Sequence, residues 1–146
     1  MDIDFVDKFI WLDKKKFNAN IIYRYRKIKE ITSCSYEIII NSMYSRVFTE
    51  CDTIVKSVDA NKKIGSIGDL SNITRWQKYI SDKYYDILIP ATDNIIFEFY
   101  RNKEFFENLL DTNIDIKKPS IKLKKIKLNT PLPEKYAILF IGASSS

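Results

Sequence analysis

The chain contains no histidine among its 146 residues and only two cysteines. Histidine is the commonest general base and the commonest metal ligand in proteins, so its absence excludes a Ser-His-Asp triad. Two cysteines cannot supply a structural zinc site. Cys34 and Cys51 are expected to be free thiols, because a disulfide between them would need an oxidising compartment.

Long apolar runs are absent as well. No run approaches the roughly 18 residues that a membrane helix needs. The N-terminal sequence MDIDFVDKF is acidic and mixed, whereas a secretory signal has a basic region followed by an apolar one. We therefore expect an intracellular, cytoplasmic protein of about one domain, which can also contact the inner face of the anionic cytoplasmic membrane.

Glycine is scarce, with three residues, whereas lysine, isoleucine, asparagine and tyrosine are abundant. This bias is typical of AT-rich coding sequence, and it accounts for the net charge of +5 without an anionic partner. A basic module that binds RNA or DNA is the alternative. Such a module should interleave basic residues with exposed aromatics, whereas most aromatics here are predicted to lie on apolar faces with isoleucine and leucine.

The segment Ser35–Val58 predicts one complete β-α unit. Its run Tyr36–Ile40 has no polar alternation, which is typical of a strand buried on both faces of a parallel sheet. Val47, Cys51, Ile54, Val55 and Val58 then recur at helical spacing. Ligands bind at the loops that leave the carboxyl ends of such strands, so residues 41–46 are the first candidate site.

Further segments extend this unit in both directions. Patterning predicts a strand at Phe5–Leu12, a helix at Phe17–Ile31 capped by Asp13, a strand at Lys62–Gly68, a helix at Thr74–Lys83, a strand at Tyr84–Pro90 and a helix at Asn94–Asp111. A Lys- and Pro-rich stretch, Lys117–Lys127, carries a short edge strand. Tyr136–Ile141 predicts another buried strand, followed by the small residues 142–146, where a phosphate-binding turn would begin.

Three groups of residues are candidates for chemistry. Arg46, at the start of the helix after a parallel strand, can clamp a phosphate or carboxylate, or it can form a surface ion pair with Glu50. Asp69 can act as a base or ligand, or it can simply form the turn. Asp2 and Asp4 have the spacing of a pair that binds a divalent ion, but they precede any strand end, so we predict no metal site.

The order of these motifs resembles glycosyltransferase family 9, the enzymes similar to ADP-heptose:lipopolysaccharide heptosyltransferase. The matching segments are YEIIINSMYSR and the helix after it, ANKKIGSIGDLSN, IIFEFYRNKEFFENLL and LPEKYAILFIGAS. The resemblance implies two Rossmann-like domains that face each other across a cleft, the GT-B architecture. It also implies inverting transfer of heptose or hexose from an ADP-heptose-like nucleotide sugar to lipopolysaccharide or another surface glycan, without a bound metal or other cofactor.

The resemblance also implies which residues form the site. Acceptor-side residues would be Ser42, Arg46, Gly68, Asp69 and Asn72. The catalytic residue is unknown, and Asp69 is a candidate only because its turn can present a base. Residues Gly142, Ala143 and Ser144 would begin the loop that meets the donor phosphates. The family's opening strand, whose Gly-Asp turn bears the expected base, has no counterpart before Phe5.

The predicted organisation is a partial two-domain enzyme. Residues 1–112 form an incomplete Rossmann-like acceptor domain, 113–134 a connection, and 135–146 the first strand and turn of a nucleotide-sugar domain. We expect a glycosyltransferase fragment that is inactive alone and self-associates through its C-terminal strand. A third hypothesis is a structural subunit that completes an enzyme with another chain.

Overall fold

A three-stranded parallel sheet is the centre of the computed structural model, which describes residues 7–94 and 96–115. The strands are β1 (Tyr36–Asn41), β2 (Ala60–Ser66) and β3 (Ile87–Ile89), in the order β1-β2-β3. Ile40 pairs with Ile64, and Ser66 pairs with Ile89, so the carboxyl ends of the strands lie at one edge of the sheet. The predicted α/β class, with a parallel sheet and flanking helices, is confirmed.

Five α-helices accompany the sheet in the described residues: α1 (Lys14–Ala19), α2 (Ile21–Ile31), α3 (Thr53–Ser57), α4 (Arg75–Ser81) and α5 (Glu98–Leu110). A π-helical turn, Phe48–Asp52, leads into α3, and a 3₁₀ turn, Asp82–Tyr84, follows α4. All these elements belong to the first of two units of the chain, Met1–Asp115. The predicted alternation of strands and helices between residues 36 and 110 is confirmed.

The core lies between the sheet and α5. Phe105 of α5 packs with Ile64 and Ile89, and Leu109 packs against this cluster. The prediction that β1 is buried on both faces is wrong, because Ile38 and Ile40 are exposed. The reason is that β1 and β3 are the two outer strands of this sheet, and α5 packs against β3.

The N-terminal region differs from the prediction in two ways. Residues 7–12, the described part of the expected strand, form no strand. The expected single helix is divided at Asn20, whose backbone is extended and whose side chain accepts a hydrogen bond from the Tyr23 N–H. Asparagine caps compete with continuation of a helix in this way. The predicted cap at Asp13 is confirmed, because its carboxylate accepts the Lys16 N–H at 3.0 Å.

Helix α4 begins close to its predicted start, whereas helix α5 begins later than predicted. Thr74 caps α4 with a reciprocal capping box to Gln77, close to the predicted start. In contrast, α5 begins at Glu98 rather than Asn94. Arg101 hydrogen-bonds the carbonyl oxygens of Thr92 and Asn94, at 2.6 Å in each case, and this holds the preceding segment as a loop.

Several expectations lie outside the described residues. These are the edge strand in Lys117–Lys127, the strand Tyr136–Ile141, the donor loop Gly142, Ala143 and Ser144, and the pair Asp2 and Asp4. No helix within residues 7–94 and 96–115 is long and apolar enough to cross a membrane.

Candidate functional site

The loops that follow β1 and β2 are joined at the carboxyl edge of the sheet. The Asp69 N–H donates to the Tyr44 carbonyl oxygen at 3.2 Å, and the Asn72 amide donates to the Ser45 carbonyl oxygen at 3.0 Å. The Ser45 hydroxyl donates to the Asp69 carboxylate at 3.1 Å. Two of the predicted acceptor-side residues, Asp69 and Asn72, are thus brought to the predicted loop after β1.

Gly68 allows this close approach of the two loops. Its φ of 66° lies in the left-handed region, and a Cβ atom there would lie 2.7 Å from the Tyr44 carbonyl oxygen and 3.0 Å from Arg46 Nε. Both the backbone conformation and the contact therefore exclude a side chain at this position. Gly68 was predicted as a site residue, and it lies in the loop after β2, where that loop contacts the loop after β1.

A cavity of about 400 Å³ opens beside the joined loops. It is lined by residues from the loops after all three strands and from the start of α5: Tyr44, Ser45, Asp69, Asp93, Asn94, Ile96, Glu98 and Arg101. This volume is within the range of small-molecule sites, and the position at strand carboxyl ends is where α/β sheets bind ligands. The cavity is the candidate functional site.

Asp69 is held in a fixed orientation at the cavity wall. Its carboxylate accepts the Ser71 hydroxyl at 2.5 Å and the Ser71 N–H at 3.1 Å, in addition to the Ser45 hydroxyl. Burial works to raise the pKa of Asp69, but these hydrogen bonds outweigh it and hold the pKa below its ordinary value. Asp69 is therefore ionised at neutral pH, as a hydrogen-bond acceptor should be. A general base is most effective when its pKa lies near the working pH, so the environment favours ligand binding over proton abstraction.

Arg101 forms part of the cavity wall, but its charge is already engaged. The guanidinium is buried, hydrogen-bonds Thr92 and Asn94 as described, and pairs with Glu104 at 3.0 Å. It also lies 4.0 Å from the centroid of the Tyr44 ring, which fixes one face of that ring. Asp69, Asp93 and Glu98 have no ion pair within the described part of the chain, so the cavity is acidic.

Beneath the joined loops lies a buried polar network, which we define as Asn41, Arg46, Asp52, Asp82 and Tyr85. The Arg46 guanidinium is fully buried, lies 3.6 Å from the Asp52 carboxylate and hydrogen-bonds Asp82. The Tyr85 hydroxyl donates to Asp52 at 2.7 Å and accepts the Asn41 amide at 2.7 Å. Burial together with Asp52 raises the pKa of Tyr85 well above its ordinary value.

Arg46 connects this network to the site above it. Its guanidinium donates to the Ile67 carbonyl oxygen at 3.3 Å, next to Gly68. Burial works to lower the pKa of Arg46, but the Asp82 hydrogen bond and the Asp52 charge outweigh it and raise that pKa. In the described residues, Arg46 Nε, Arg46 Nη1 and Asp52 Oδ2 have no hydrogen-bond partner. Hydrogen bonds and charge together therefore hold the network.

The structure corrects the interpretation of Arg46. Neither a ligand-facing clamp nor a surface pair with Glu50 is observed, because the guanidinium points inward to Asp52 and Asp82. Glu50 instead contacts Lys14 and Asn18. Of the other predicted residues, Asp69 lines the cavity, whereas Ser42, Gly68 and Asn72 lie in its supporting loops.

Sequence reasoning missed the partners that complete the site: Asp52, Asp82, Tyr85, Asp93, Glu98 and Arg101. Tyr85 comes from the end of a turn, 44 residues after its partner Asn41. Only Asp52 carried a usable signal, since it is an acidic residue next to Cys51 on the predicted apolar helix face. No group of three or more possible metal ligands is found in residues 7–94 and 96–115.

The fold and the cavity together define an α/β domain with a polar, acidic site at the carboxyl ends of its strands. Comparison of the chain with protein-family models, with curated proteins and with solved structures finds no match.

Proposed function

We propose that the chain forms the acceptor-binding side of an inverting glycosyltransferase of the family 9 type. The enzyme transfers heptose or hexose from a nucleotide sugar to lipopolysaccharide or another surface glycan. The proposal includes the two-domain GT-B architecture and a donor loop that begins at Gly142, Ala143 and Ser144. The proposed reaction requires neither a metal nor another cofactor.

The observation that carries the proposal is the oriented Asp69 carboxylate in the cavity. A carboxylate accepts hydrogen bonds from sugar hydroxyls, and Ser45 and Ser71 fix its direction before the ligand arrives. Such preorganisation lowers the entropic cost of binding. The Tyr44 ring and the Asn94 side chain add an aromatic surface and an amide to the same cavity.

The charge of the cavity favours binding of the acceptor over binding of the nucleotide-sugar donor. Three carboxylates line it, and the one guanidinium in its described lining is engaged by Glu104 and by backbone oxygens. A nucleotide diphosphate would be repelled by this arrangement, whereas an uncharged sugar unit of the acceptor, which offers only hydroxyl groups, would not. The nucleotide sugar is accordingly expected to bind elsewhere.

A binding experiment tests this proposal. The full chain is titrated with a deacylated lipopolysaccharide core oligosaccharide and, separately, with ADP-heptose, by calorimetry and NMR. Because a hydrogen bond to a charged group is worth about 1.5–3 kcal/mol, Asp69→Asn should weaken oligosaccharide binding by about 10- to 100-fold. Asp59→Asn, a change at an exposed residue outside the cavity, is the matched control.

Two results would contradict the proposal. One is the absence of saturable binding for any glycan at millimolar concentration. The other is ADP-heptose binding that depends on Asp69, which would place the donor in this cavity. We further expect no turnover by this polypeptide alone. Transfer requires a general base and a cradle for the leaving diphosphate, and the lowered pKa of Asp69 makes it a poor general base. Nucleotide diphosphate release that Asp69→Asn abolishes would overturn that expectation.

A second candidate function is nucleic-acid binding, which one surface favours. Contrary to the expectation that aromatics lie on apolar faces, Trp76 and Tyr79 of α4 are exposed, and Lys83 Nζ lies 4.1 Å from the Tyr79 ring. Aromatic and basic side chains together can stack on and neutralise a single strand. Micromolar binding to oligonucleotides at physiological salt, with a steep salt dependence that Trp76→Ala weakens, would favour this function.

A further inference from the structure

The outward side of the N-terminal helical region exposes large apolar side chains. Ile21 is 84% exposed, Ile22 65% and Tyr25 65%, all on α2. Trp11, just before α1, is 81% exposed and stacks on Phe9 at 6.1 Å between ring centroids. We call these exposed residues, Phe9 and Trp11 before α1 together with Ile21, Ile22 and Tyr25 of α2, the N-terminal apolar face.

The opposite side of this region is attached to the domain. Phe17 of α1 is fully buried beneath the Arg24 guanidinium, whose carbon lies 4.9 Å from the ring centroid. The Asn18 amide donates to Glu50 at 2.6 Å, and Arg24 hydrogen-bonds the Thr49 carbonyl oxygen. The helices are therefore anchored on the π-helical turn, and the apolar residues on the outward arc of α2 are left without a described partner.

Basic residues share this outward arc. At 100° per residue, Ile21, Tyr25 and Ile22 lie on an arc of about 100° around the axis of α2. Lys29 lies within that arc, and Arg26 extends it to about 140°. Both basic residues are exposed and, like Lys15, have no ion pair within the described residues. Apolar side chains flanked by basic ones give this side of α2 the two attractions that hold a helix at a membrane interface, which are burial of apolar area and attraction to anionic lipid.

The same region is one of two basic segments of the chain. Residues 7–31 contain eight lysine or arginine residues and three acidic residues, a net charge of +5, and residues 116–146 contain seven lysines and one acidic residue. Residues 32–115, which include the sheet and the cavity, contain nine basic and thirteen acidic residues. A basic segment such as residues 7–31 is attracted to anionic lipid, and each basic residue near the surface strengthens partitioning about fivefold.

We propose that the N-terminal apolar face binds the surface of an anionic lipid bilayer. Ile21, Ile22 and Trp11 enter the boundary between headgroups and acyl chains, while Lys15, Arg26 and Lys29 contact lipid phosphates. The aliphatic residues favour lipid over nucleic acid, because isoleucine gives no stacking to bases but gains free energy from burial among acyl chains. This surface lies on a different element from the cavity, and its role does not depend on the proposed function.

Vesicle binding by the full chain tests the proposal. Vesicles of phosphatidylcholine alone are compared with vesicles that also contain phosphatidylglycerol, by co-sedimentation at low and high salt. We expect binding only to the anionic vesicles and weaker binding at high salt. In a Trp76→Phe background, Trp11 is the remaining tryptophan, and its fluorescence should shift to the blue and be quenched by brominated lipid.

Two sets of variants assign the binding to this surface. Ile21→Ser with Ile22→Ser should weaken partitioning more than about tenfold, since burial of each isoleucine is favourable. Lys15→Gln with Arg26→Gln and Lys29→Gln should weaken it about 100-fold. The matched controls are Leu110→Ser, at another exposed aliphatic, and Lys56→Gln with Lys62→Gln and Arg75→Gln, three exposed basic residues elsewhere. Circular dichroism should be unchanged in all of them.

Three outcomes would overturn the proposal. The first is no binding to anionic vesicles at millimolar lipid. The second is binding that the control variants weaken as strongly as the test variants. The third is a concentration-dependent dimer, or an oligonucleotide complex, that Ile21→Ser with Ile22→Ser abolishes while vesicle binding stays unchanged, because that surface would then serve a second copy of the chain or a nucleic acid.

Discussion

Replacing Arg46 by methionine should destabilise the fold severely. Arg46 is fully buried between Asp52, which is also fully buried, and Asp82. Methionine keeps much of the side-chain volume but removes the charge, so it leaves the Asp52 carboxylate without a cation. Removal of one partner from a buried ion pair costs about 3–5 kcal/mol, whereas replacing both partners is often nearly neutral.

The loss can be measured by urea denaturation monitored by circular dichroism. For a domain with a total stability of about 5–15 kcal/mol, we expect the Arg46→Met midpoint to fall steeply. Arg46→Met with Asp52→Asn should recover much of the loss, because the uncompensated charge is gone. Arg75→Met, at an exposed arginine of α4, is the matched control and should change stability by less than about 0.5 kcal/mol.

The result that would refute this reasoning is a small effect. If Arg46→Met cost less than about 1 kcal/mol, the value expected of an exposed pair, then the guanidinium would not be desolvated in solution as it is in the structure. A double variant no more stable than Arg46→Met would show that the loss comes from packing rather than from the unpaired carboxylate.

Two other predictions concern the loops above the network. Gly68→Ala should cost at least about 1–3 kcal/mol in urea denaturation, because its φ is 66° and its Cβ would meet the Tyr44 carbonyl oxygen; wild-type stability would contradict the observed loop contact. Asp69→Asn should lower stability at neutral pH, since the folded pKa of Asp69 lies below its ordinary value of 3.8 and its ionised form therefore stabilises the fold. The difference from wild type should shrink as the pH falls below 3.8 in parallel urea titrations, and a difference that stays constant from pH 7 to that range would show that the carboxylate charge is not responsible.

The strands and the later helices were predictable from local pattern. Ile38–Ile40 and the capping signal at Thr74 act over a few residues, so the sequence window contains all the information needed. The division of the first helix at Asn20 was missed because apolar spacing continues through it, whereas the asparagine side chain competes locally with the helix. The false strand at residues 7–12 has a cluster of apolar residues of strand length. In the structure the rings of Phe9 and Trp11 stack on each other, and the segment pairs with no strand.

The candidate site was predictable only in part. Its place at strand carboxyl ends follows from the parallel sheet, and Asp69 is found where that rule puts it. The inward direction of Arg46 could not be predicted, because it depends on Asp82, which is 36 residues away. Exposure of Ile38 and Ile40 likewise depends on which strand α5 covers, and a β-branched run does not encode that choice.

The buried network also has a consequence for how the chain acquires its site during synthesis. Asn41 and Tyr85 are hydrogen-bonded to each other across 44 residues, and Asp52 depends on the same tyrosine hydroxyl. The cavity needs still later residues, from Asp93 to Arg101. A nascent chain that has released only β1 and β2 from the ribosome therefore carries a basic, apolar N-terminal region but no cavity. A partner that binds the N-terminal region during synthesis would therefore meet it before the cavity has formed.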